Sequence, residues 1–402
     1  MPLPMPLLPL SIVLLVLACQ TTAVALPQFA LLSGNRCSNC HVAPAGGGAR
    51  SDLGWYAWQD VSIVPRTSSA LAWAYDGDES NAFFDDKLLL GLDARVQSTR
   101  SAFSTSAPRT TFPMQATLYA AYRATDGLTA EAQFNVAALR KAPNSDKAIR
   151  FPGQRPALFS VMYVPDTGWP MIRAGMFRPS YGMRYDDHTT FPYSIVTATS
   201  RQNIVAPDWG EWGAEVTYES LRWLTVSAGV FGSEGLSQLQ LAGTNGLASA
   251  VTSTSPTVVG RAVVHQKFLE SVLTSYVGAS ALVNGEFRMY SAFAGIGWQD
   301  NLALMLDVTQ ADIDSRLTST NVMAELMWQL ATPVFPYVRY ETGISHAATI
   351  ADADRPPAVS SIVLGTQLFV IPYVELRPEY RIWDTDLEGY VSRWNLQLHL
   401  FY

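Results

Sequence analysis

Apolar and polar residues alternate with a period of two from about residue 86 to the end of the chain. In the segment 128–138 the even-numbered residues are apolar, and most of the odd-numbered residues are polar. The same alternation recurs over 211–218, 301–309 and 374–382. Successive side chains of a β-strand point to opposite faces, so the alternation predicts strands with one apolar and one polar face.

Turn-forming residues divide this region into short segments. Asp126-Gly127, Asn284-Gly285 and Asp300-Asn301 are typical of tight turns between antiparallel strands. The spacing predicts about sixteen strands, the size of a porin barrel. The predicted strands begin near residues 86, 112, 128, 157, 170, 211, 223, 257, 272, 287, 301, 319, 334, 359, 372 and 389.

The composition favours a membrane barrel over a soluble protein or a helical membrane protein. The chain of 402 residues is 48% hydrophobic and only 15% charged, with 17 Tyr, 11 Trp and 17 Phe. Mean hydropathy is nevertheless only +0.09. After residue 25, no uninterrupted apolar run approaches the roughly 20 residues that a transmembrane helix needs. Barrel strands combine these properties because their lipid-facing residues are interleaved with polar ones.

The end of the chain carries a further indication of a barrel. Residues Trp394–Tyr402 alternate apolar and polar side chains and end in Phe-Tyr. This pattern is similar to the C-terminal signal of bacterial outer-membrane barrels, which usually ends in Phe; the alternative is an edge strand of a soluble sheet. We therefore expect an all-β, antiparallel transmembrane barrel in bacterial outer-membrane lipid. The net charge of −7, without notable basic clusters, argues against nucleic acid as a partner.

Residues 1–25 have the pattern of a secretory signal peptide. The run Leu7–Leu17 is mostly apolar, and Ala23-Val24-Ala25 has the small-x-small form of a cleavage site. The segment before this run has no Lys or Arg. A second interpretation is a lipoprotein, in which Cys19 is lipidated within Val16–Cys19. We expect three parts: a signal peptide over 1–25, a short segment over 26–85, and a barrel over 86–402.

The short segment contains Cys37-Ser38-Asn39-Cys40-His41, which is the C-x-x-C-H pattern of c-type haem attachment. Two thiols on a short stretch of backbone can bond to the two vinyl groups of one porphyrin. The adjacent His41 can then serve as the proximal iron ligand. The pattern predicts one covalent haem c, bound through Cys37, Cys40 and His41.

Three other uses of the cysteine pair are a structural disulfide, a redox C-x-x-C and half of a zinc site. Zinc requires two further ligands, and no second Cys/His pair lies nearby in the sequence. A thioredoxin-like site requires a βαβ context, which is absent. Some sixty residues are marginal for an independent core. We therefore expect this segment to fold against the barrel, most simply as a plug in the lumen.

A low-spin haem needs a second axial ligand, for which His and Met are the usual side chains. The first candidate is His188, in the long non-periodic stretch 179–210. That stretch joins predicted strands five and six, and in sixteen-stranded porins the corresponding loop folds into the lumen. The remaining candidates, in addition to another His or water, are Met183, Met305, Met323 and Met327.

The stretch Phe29–His41 followed by a porin-like barrel resembles the outer-membrane cytochrome–porin fusions, whose best-known members are monohaem iron oxidases. The resemblance implies a haem within the barrel, thioether bonds at Cys37 and Cys40, and His41 as proximal ligand. It also implies an extracellular Fe(II) donor and a periplasmic cytochrome acceptor. The stretch Val42–Gly48 departs from that family, which leaves the donor and the direction of electron flow open.

The function expected from these features is electron transfer across the outer membrane, with an extracellular donor such as Fe(II) as the expected substrate of oxidation. A second hypothesis is a conduit that works with a partner multihaem cytochrome, because one C-x-x-C-H supplies one haem only. A third is a diffusion porin in which the haem has a structural or sensory role. No nucleophile elbow or metal-binding helix motif indicates hydrolytic catalysis.

Overall fold

The described part of the chain forms one closed barrel with a short helical segment at one end. The computed structural model describes residues 27–64, 81–100, 109–141, 148–150, 154–165, 168–183, 190–196, 201–205, 209–236, 255–285, 287–313, 317–347, 358–385 and 389–402. The expected signal peptide and the alternative lipidation site at Cys19 lie outside these residues.

Sixteen strands make up the wall of the barrel in the described residues. They are β1 Leu88–Thr99, β2 Thr110–Thr125, β3 Leu128–Lys141, β4 Ala157–Tyr163, β5 Met171–Phe177, β6 Glu211–Tyr218, β7 Leu224–Phe231, β8 Thr257–Phe268, β9 Leu273–Asn284, β10 Phe287–Trp298, β11 Leu302–Ile313, β12 Leu317–Trp328, β13 Val334–Ala347, β14 Val359–Ile371, β15 Val374–Thr385 and β16 Gly389–Phe401. Each begins within two residues of its predicted start.

Every strand of the wall pairs antiparallel with its neighbours in sequence. The last strand, β16, pairs with β1 in a register that places Asp93 opposite Phe401 and Ser98 opposite Leu396. The sheet is therefore closed and has no free edge, which is the form in which strands can cross a bilayer. The predicted all-β barrel of sixteen strands is confirmed.

The two faces of the wall follow the period-two pattern. In β3, Glu131, Gln133 and Asn135 are buried, whereas Phe134 and Val136 are exposed. Exposed apolar side chains recur at alternate positions around the outside of the barrel. An apolar exterior around a polar interior is the arrangement that lipid and a water-filled lumen require.

The two ends of the barrel differ in the length of their connections. At one end, two residues join β2 to β3 and two join β14 to β15. At the other end, longer connections lie between β5 and β6 and between β7 and β8. In bacterial barrels the short turns are periplasmic and the longer loops extracellular. We call these the turn end and the loop end.

The segment before the barrel contains three short helices, α1 Pro27–Ser33, α2 Cys37–Cys40 and α3 Asp52–Tyr56. It packs against inward-facing side chains at the turn end. The ring centroid of Phe29 lies 4.9 Å from that of Phe335, and that of Trp58 lies 4.2 Å from that of Phe369. This apolar contact explains how a segment too short for its own core is held.

Backbone hydrogen bonds join the same segment to the turns of the barrel. Asp300 N donates to the Leu32 carbonyl at 3.1 Å, and Ile63 N donates to the Phe369 carbonyl at 2.8 Å. Thr274 Oγ1 donates to the Leu31 carbonyl at 2.7 Å. The segment is thus fixed to the wall at several points of the turn end.

Four short strands accompany the barrel: Ala82–Phe83, Ala148–Arg150, Ser194–Val196 and Arg201–Asn203. The last two pair with each other between β5 and β6. None of the described helices is long and apolar enough to cross a membrane.

Candidate functional site

The C-x-x-C-H motif folds as a single helical turn followed by an extended residue. His41 N donates to the Cys37 carbonyl at 2.9 Å and closes the turn. Residues three apart on a helical turn lie on one side, so Cys37 and Cys40 share a face. Cys40 and His41 are buried and Cys37 is half-buried, and no disulfide joins the two cysteines.

Helix α3 packs directly onto this turn. Ser51 N donates to the Cys40 carbonyl at 3.1 Å, and Ser51 Oγ donates to the Asn39 carbonyl at 2.7 Å. Ser51 also caps α3, because its Oγ accepts from Gly54 N at 3.3 Å. A Cβ on Gly54 would overlap the carbonyl oxygen of Cys40. Glycine is therefore required where α3 crosses the motif.

A tight hairpin returns over the same face of the motif. His41 pairs with Arg50, and Val42 N donates to the Ala49 carbonyl at 3.0 Å. At its tip, residues 46–48 are three consecutive glycines with φ of 86°, 70° and 74°. Such left-handed backbone is accessible to glycine at little cost, so the triple glycine forms a defined turn.

Gly46 stands against the side chains of the motif itself. A Cβ at this position would lie 3.3 Å from Cys37 Cβ, 3.6 Å from Cys37 Sγ and 3.9 Å from His41 Cδ2. The missing side chain keeps this face of the thiol and imidazole clear. The donor set, two thiols and an imidazole on one short stretch of backbone, fits the chemistry of a c-type haem.

The motif is anchored to the turn between β6 and β7. The Arg36 guanidinium donates to the carbonyls of Glu219 and Leu221, at 3.4 and 3.1 Å, and also to that of Arg222. The Glu219 carboxylate accepts a hydrogen bond from Ser38, inside the motif. Burial nevertheless raises the pKa of Glu219, against the opposing effects of Ser38 and Arg36.

The thiol of Cys40 is held in its neutral form. Burial and the neighbouring Cys37 raise its pKa to about 11, although the positive charge of Arg50 acts in the opposite direction. A thiol with so high a pKa is a weak nucleophile near neutral pH. The folded apoprotein therefore protects Cys40 from adventitious oxidation.

The described residues of the connection between β5 and β6 contact inward-facing side chains on two parts of the wall. On one side, Ser180 N donates to Glu215 Oε2 and Gly182 N donates to Ser280 Oγ, both at 2.8 Å. On the other side, Phe191 N donates to Glu341 Oε1 at 2.9 Å. We call residues 178–183 and 190–196, which are described parts of this connection, the crossing loop. His188 lies outside the described residues.

All four candidate methionines are buried inside the barrel: Met183, Met305, Met323 and Met327. Met183 belongs to the crossing loop, whereas the others belong to the wall. Tyr276 Oη donates to Met183 Sδ at 3.2 Å. Among the described residues, no group of three or more His, Cys, Asp or Glu side chains is placed to hold a metal ion.

Sequence reasoning missed Gly54, Arg36 and Tyr276. Neither the period-two alternation nor the C-x-x-C-H pattern points to Gly54. This glycine is required because it contacts the Cys40 carbonyl, 14 positions earlier in the chain. In the sequence, Tyr276 is one of many residues predicted to face the lumen. Only its contact with the crossing loop distinguishes it. Arg36 directly precedes the motif and could have been singled out by position alone.

Comparison with known proteins places the fold among porins. No protein-family model matches the chain, and no curated protein matches it. The chain is similar to the outer membrane channel DcaP of Acinetobacter baumannii, with 10% identity, a TM-score of 0.51, and coverage of 78% of this chain and 97% of that one. It is also similar to OprB of Pseudomonas putida, with 10% identity, a TM-score of 0.53, and coverage of 85% and 98%. These similarities show that the fold is a porin-like barrel.

Proposed function

We propose that this chain is an outer-membrane electron-transfer protein with one covalent c-type haem, carried by residues 26–85 as a plug in the porin-like barrel. The observation that supports it best is the placement of the C-x-x-C-H motif. The motif folds as a compact turn, and its segment packs against inward-facing side chains of the barrel at the turn end. A simple disulfide or a flexible leader would need neither Gly46 nor Gly54.

The residues of the site have distinct roles in this proposal. Cys37 and Cys40 form the thioether bonds, and His41 is the proximal ligand. When bound, the haem supplies reversible one-electron transfer between Fe(II) and Fe(III). Ser51 and Arg36 hold the motif against α3 and the barrel turn. The barrel wall excludes lipid and bulky reactants from the site.

The position of the site implies partners on both sides of the membrane. The hydrocarbon core is about 30 Å thick, so one redox centre near the turn end cannot carry electrons across all of it. Other electron carriers must therefore supply and remove the electrons. On the periplasmic side, α3 exposes Leu53 and Tyr56, at 41% and 46%, beside the backbone of Cys40. We propose this face as the approach of a periplasmic electron-carrier cytochrome.

On the loop side, an extracellular donor or acceptor completes the path. Fe(II) is the donor implied by the resemblance to cytochrome–porin fusions, which would make the chain an iron-oxidising oxidoreductase. A partner multihaem cytochrome would serve equally as an extracellular or periplasmic conduit. Oxidation assays discriminate between these partners. The purified holoprotein is placed in vesicles, and Fe(II) or a reduced cytochrome is added on a defined side.

A diffusion porin with a structural or sensory haem is the second candidate. It is favoured by the similarity in fold to a protein described as an outer membrane channel. Conductance in planar bilayers discriminates between the two. An electron-transfer barrel with a fixed plug gives little conductance, whereas a diffusion porin conducts with the haem in place.

The proposal is tested on protein purified from outer membranes of cells that mature c-type cytochromes. We expect a c-type reduced-minus-oxidised spectrum and a denatured band that stains for covalent haem. Both are lost in Cys37→Ala, whereas the matched Ser38→Ala variant retains both. Absence of covalent haem from the unmodified protein would overturn the proposal.

A further inference from the structure

The crossing loop brings a thioether to the neighbourhood of the motif. Met183 is only 3% exposed, and it packs in the same apolar cluster as Phe29, Leu31 and Leu32 of α1. This cluster lies at the turn end, although Met183 belongs to a loop that enters from the loop end. A soft sulfur donor thus lies in the apolar cluster that contains α1, the helix that precedes the motif.

Two side chains of the wall hold this part of the loop. Tyr276 Oη donates to Met183 Sδ at 3.2 Å, and Arg261 Nε donates to the Gly182 carbonyl at 2.9 Å. Both side chains also lie within electrostatic reach of Cys37. Tyr276 and Arg261 therefore hold the loop in the part of the lumen where the charge of Cys37 is felt.

The backbone around the sulfur is fixed as well. Tyr193 Oη donates to the Met183 carbonyl at 2.8 Å, and Gly182 N donates to Ser280 Oγ at 2.8 Å. Met305 and Met327 share the apolar cluster but project from strands of the wall. Met183 is distinguished from them by its place on the crossing loop and by the hydroxyl directed at its sulfur.

We infer that Met183 Sδ is the second axial ligand of the haem held by Cys37, Cys40 and His41, and that Tyr276 is a positioning residue for this sulfur. The inference rests on the proposed function, since it concerns the same haem. Methionine ligation favours Fe(II) and raises the reduction potential. The hydrogen bond from the Tyr276 hydroxyl draws electron density from the Met183 sulfur. The sulfur therefore donates less electron density to Fe(III), and the reduction potential rises further.

The test is spectroscopic and uses the full-length holoprotein. The oxidised protein should show the far-red charge-transfer band of thioether-ligated ferric haem. Met183→Leu should abolish this band and convert the haem to high spin. Met183→His should restore a low-spin spectrum at a lower midpoint potential. Tyr276→Phe should keep the band and lower the midpoint potential.

Matched controls separate this inference from its rivals. Met305→Leu and Met327→Leu change other thioethers of the same cluster and should leave the band in place, as should His188→Ala. The inference is overturned if Met183→Leu leaves the low-spin spectrum unchanged, or if His188→Ala or Met305→Leu abolishes it. A protein that stains for covalent haem but fails these tests retains the proposed function, whereas a protein without covalent haem loses both.

Discussion

Single residues decide whether the motif can present its thiols and imidazole together. Gly54 is the clearest case, because any side chain at this position would strike the Cys40 carbonyl. The motif itself was evident from the sequence, since Cys37, Cys40 and His41 are adjacent in the chain. The residues that shape its surroundings were not, because they are defined by contacts between distant positions.

Gly54→Ala should loosen α3 from the motif. Overpacking of this kind costs about 1–3 kcal/mol, which corresponds to an increase of about 5- to 150-fold in amide exchange where opening is local. Hydrogen exchange of residues 52–58 in the reconstituted apoprotein measures the effect. Gly260→Ala is the matched control, because a Cβ there meets no atom within 4 Å. Unchanged exchange in Gly54→Ala would contradict the packing described.

The Cys40 thiol should react slowly in the folded apoprotein. Its pKa of about 11 compares with an ordinary value of 9.0, so at pH 8 about 100-fold less thiolate is present than in the unfolded chain. The protonated form is favoured in the folded state, so its stabilising contribution is present below pH 9.0 and is lost as pH rises toward 11. Peptide mapping after timed iodoacetamide treatment should show Cys40 labelled last. Equal labelling of Cys37 and Cys40 at pH 8 would contradict this.

The strands of the barrel were predictable because the alternation of apolar and polar residues within each strand shows which side chains face lipid and which face the lumen. In β3 and β15, lipid-facing and lumen-facing residues alternate within the strand itself. The first residue of each strand can therefore be predicted from this local pattern. The short strands and the anchors of the crossing loop were not predictable. Phe191 meets Glu341 only because the barrel closes, and no local pattern encodes a partner 150 residues away.

The seam between the first and last strands should depend on a buried imidazole. His399 of β16 lies between Asp93 of β1, with Nε2–Oδ1 at 3.1 Å, and Glu375 of β15, with Nδ1–Oε2 at 2.9 Å. The Nδ1–Oε2 contact is a hydrogen bond, whereas Nε2 lies within ion-pair distance of Asp93. Each carboxylate also pairs with an arginine, Asp93 with Arg95 and Glu375 with Arg377. His399→Gln therefore removes one of several contacts and should destabilise the barrel by about 1–2 kcal/mol.

Urea unfolding of the barrel refolded in lipid vesicles, followed by Trp fluorescence, measures this loss. His346→Gln is the matched control, because His346 lies near the loop end of β13, away from the seam. A midpoint for His399→Gln that equals that of the unmodified protein would show that the seam does not depend on this ion cluster.

At the scale of the whole molecule, the barrel interior is occupied from both ends. The helical segment packs at the turn end, and the crossing loop reaches the same apolar cluster through Met183. Both elements thus contact inward-facing side chains of the wall. The architecture was predictable in outline, whereas the meeting of the loop with the segment emerges only from the assembled fold.

The intact protein should therefore conduct ions poorly. In planar bilayers we expect small and infrequent current steps, because the segment and the crossing loop share the lumen. Deletion of residues 27–64 should raise the conductance several-fold, whereas Leu53→Ser at the exposed face of α3 should not change it. A large, stable conductance from the intact holoprotein would instead favour the diffusion porin.

The most direct test of the central claim is the intact mass of the purified protein, followed by mapping of the modified peptide. The account predicts that the chain carries the mass of one haem and that the modified peptide contains Cys37–His41. Cys37→Ala/Cys40→Ala should have the mass of the unmodified polypeptide. A protein from cells able to mature c-type cytochromes that carries no added haem, with Cys37 and Cys40 joined as a disulfide, would contradict the account and leave a porin with an internal cross-link.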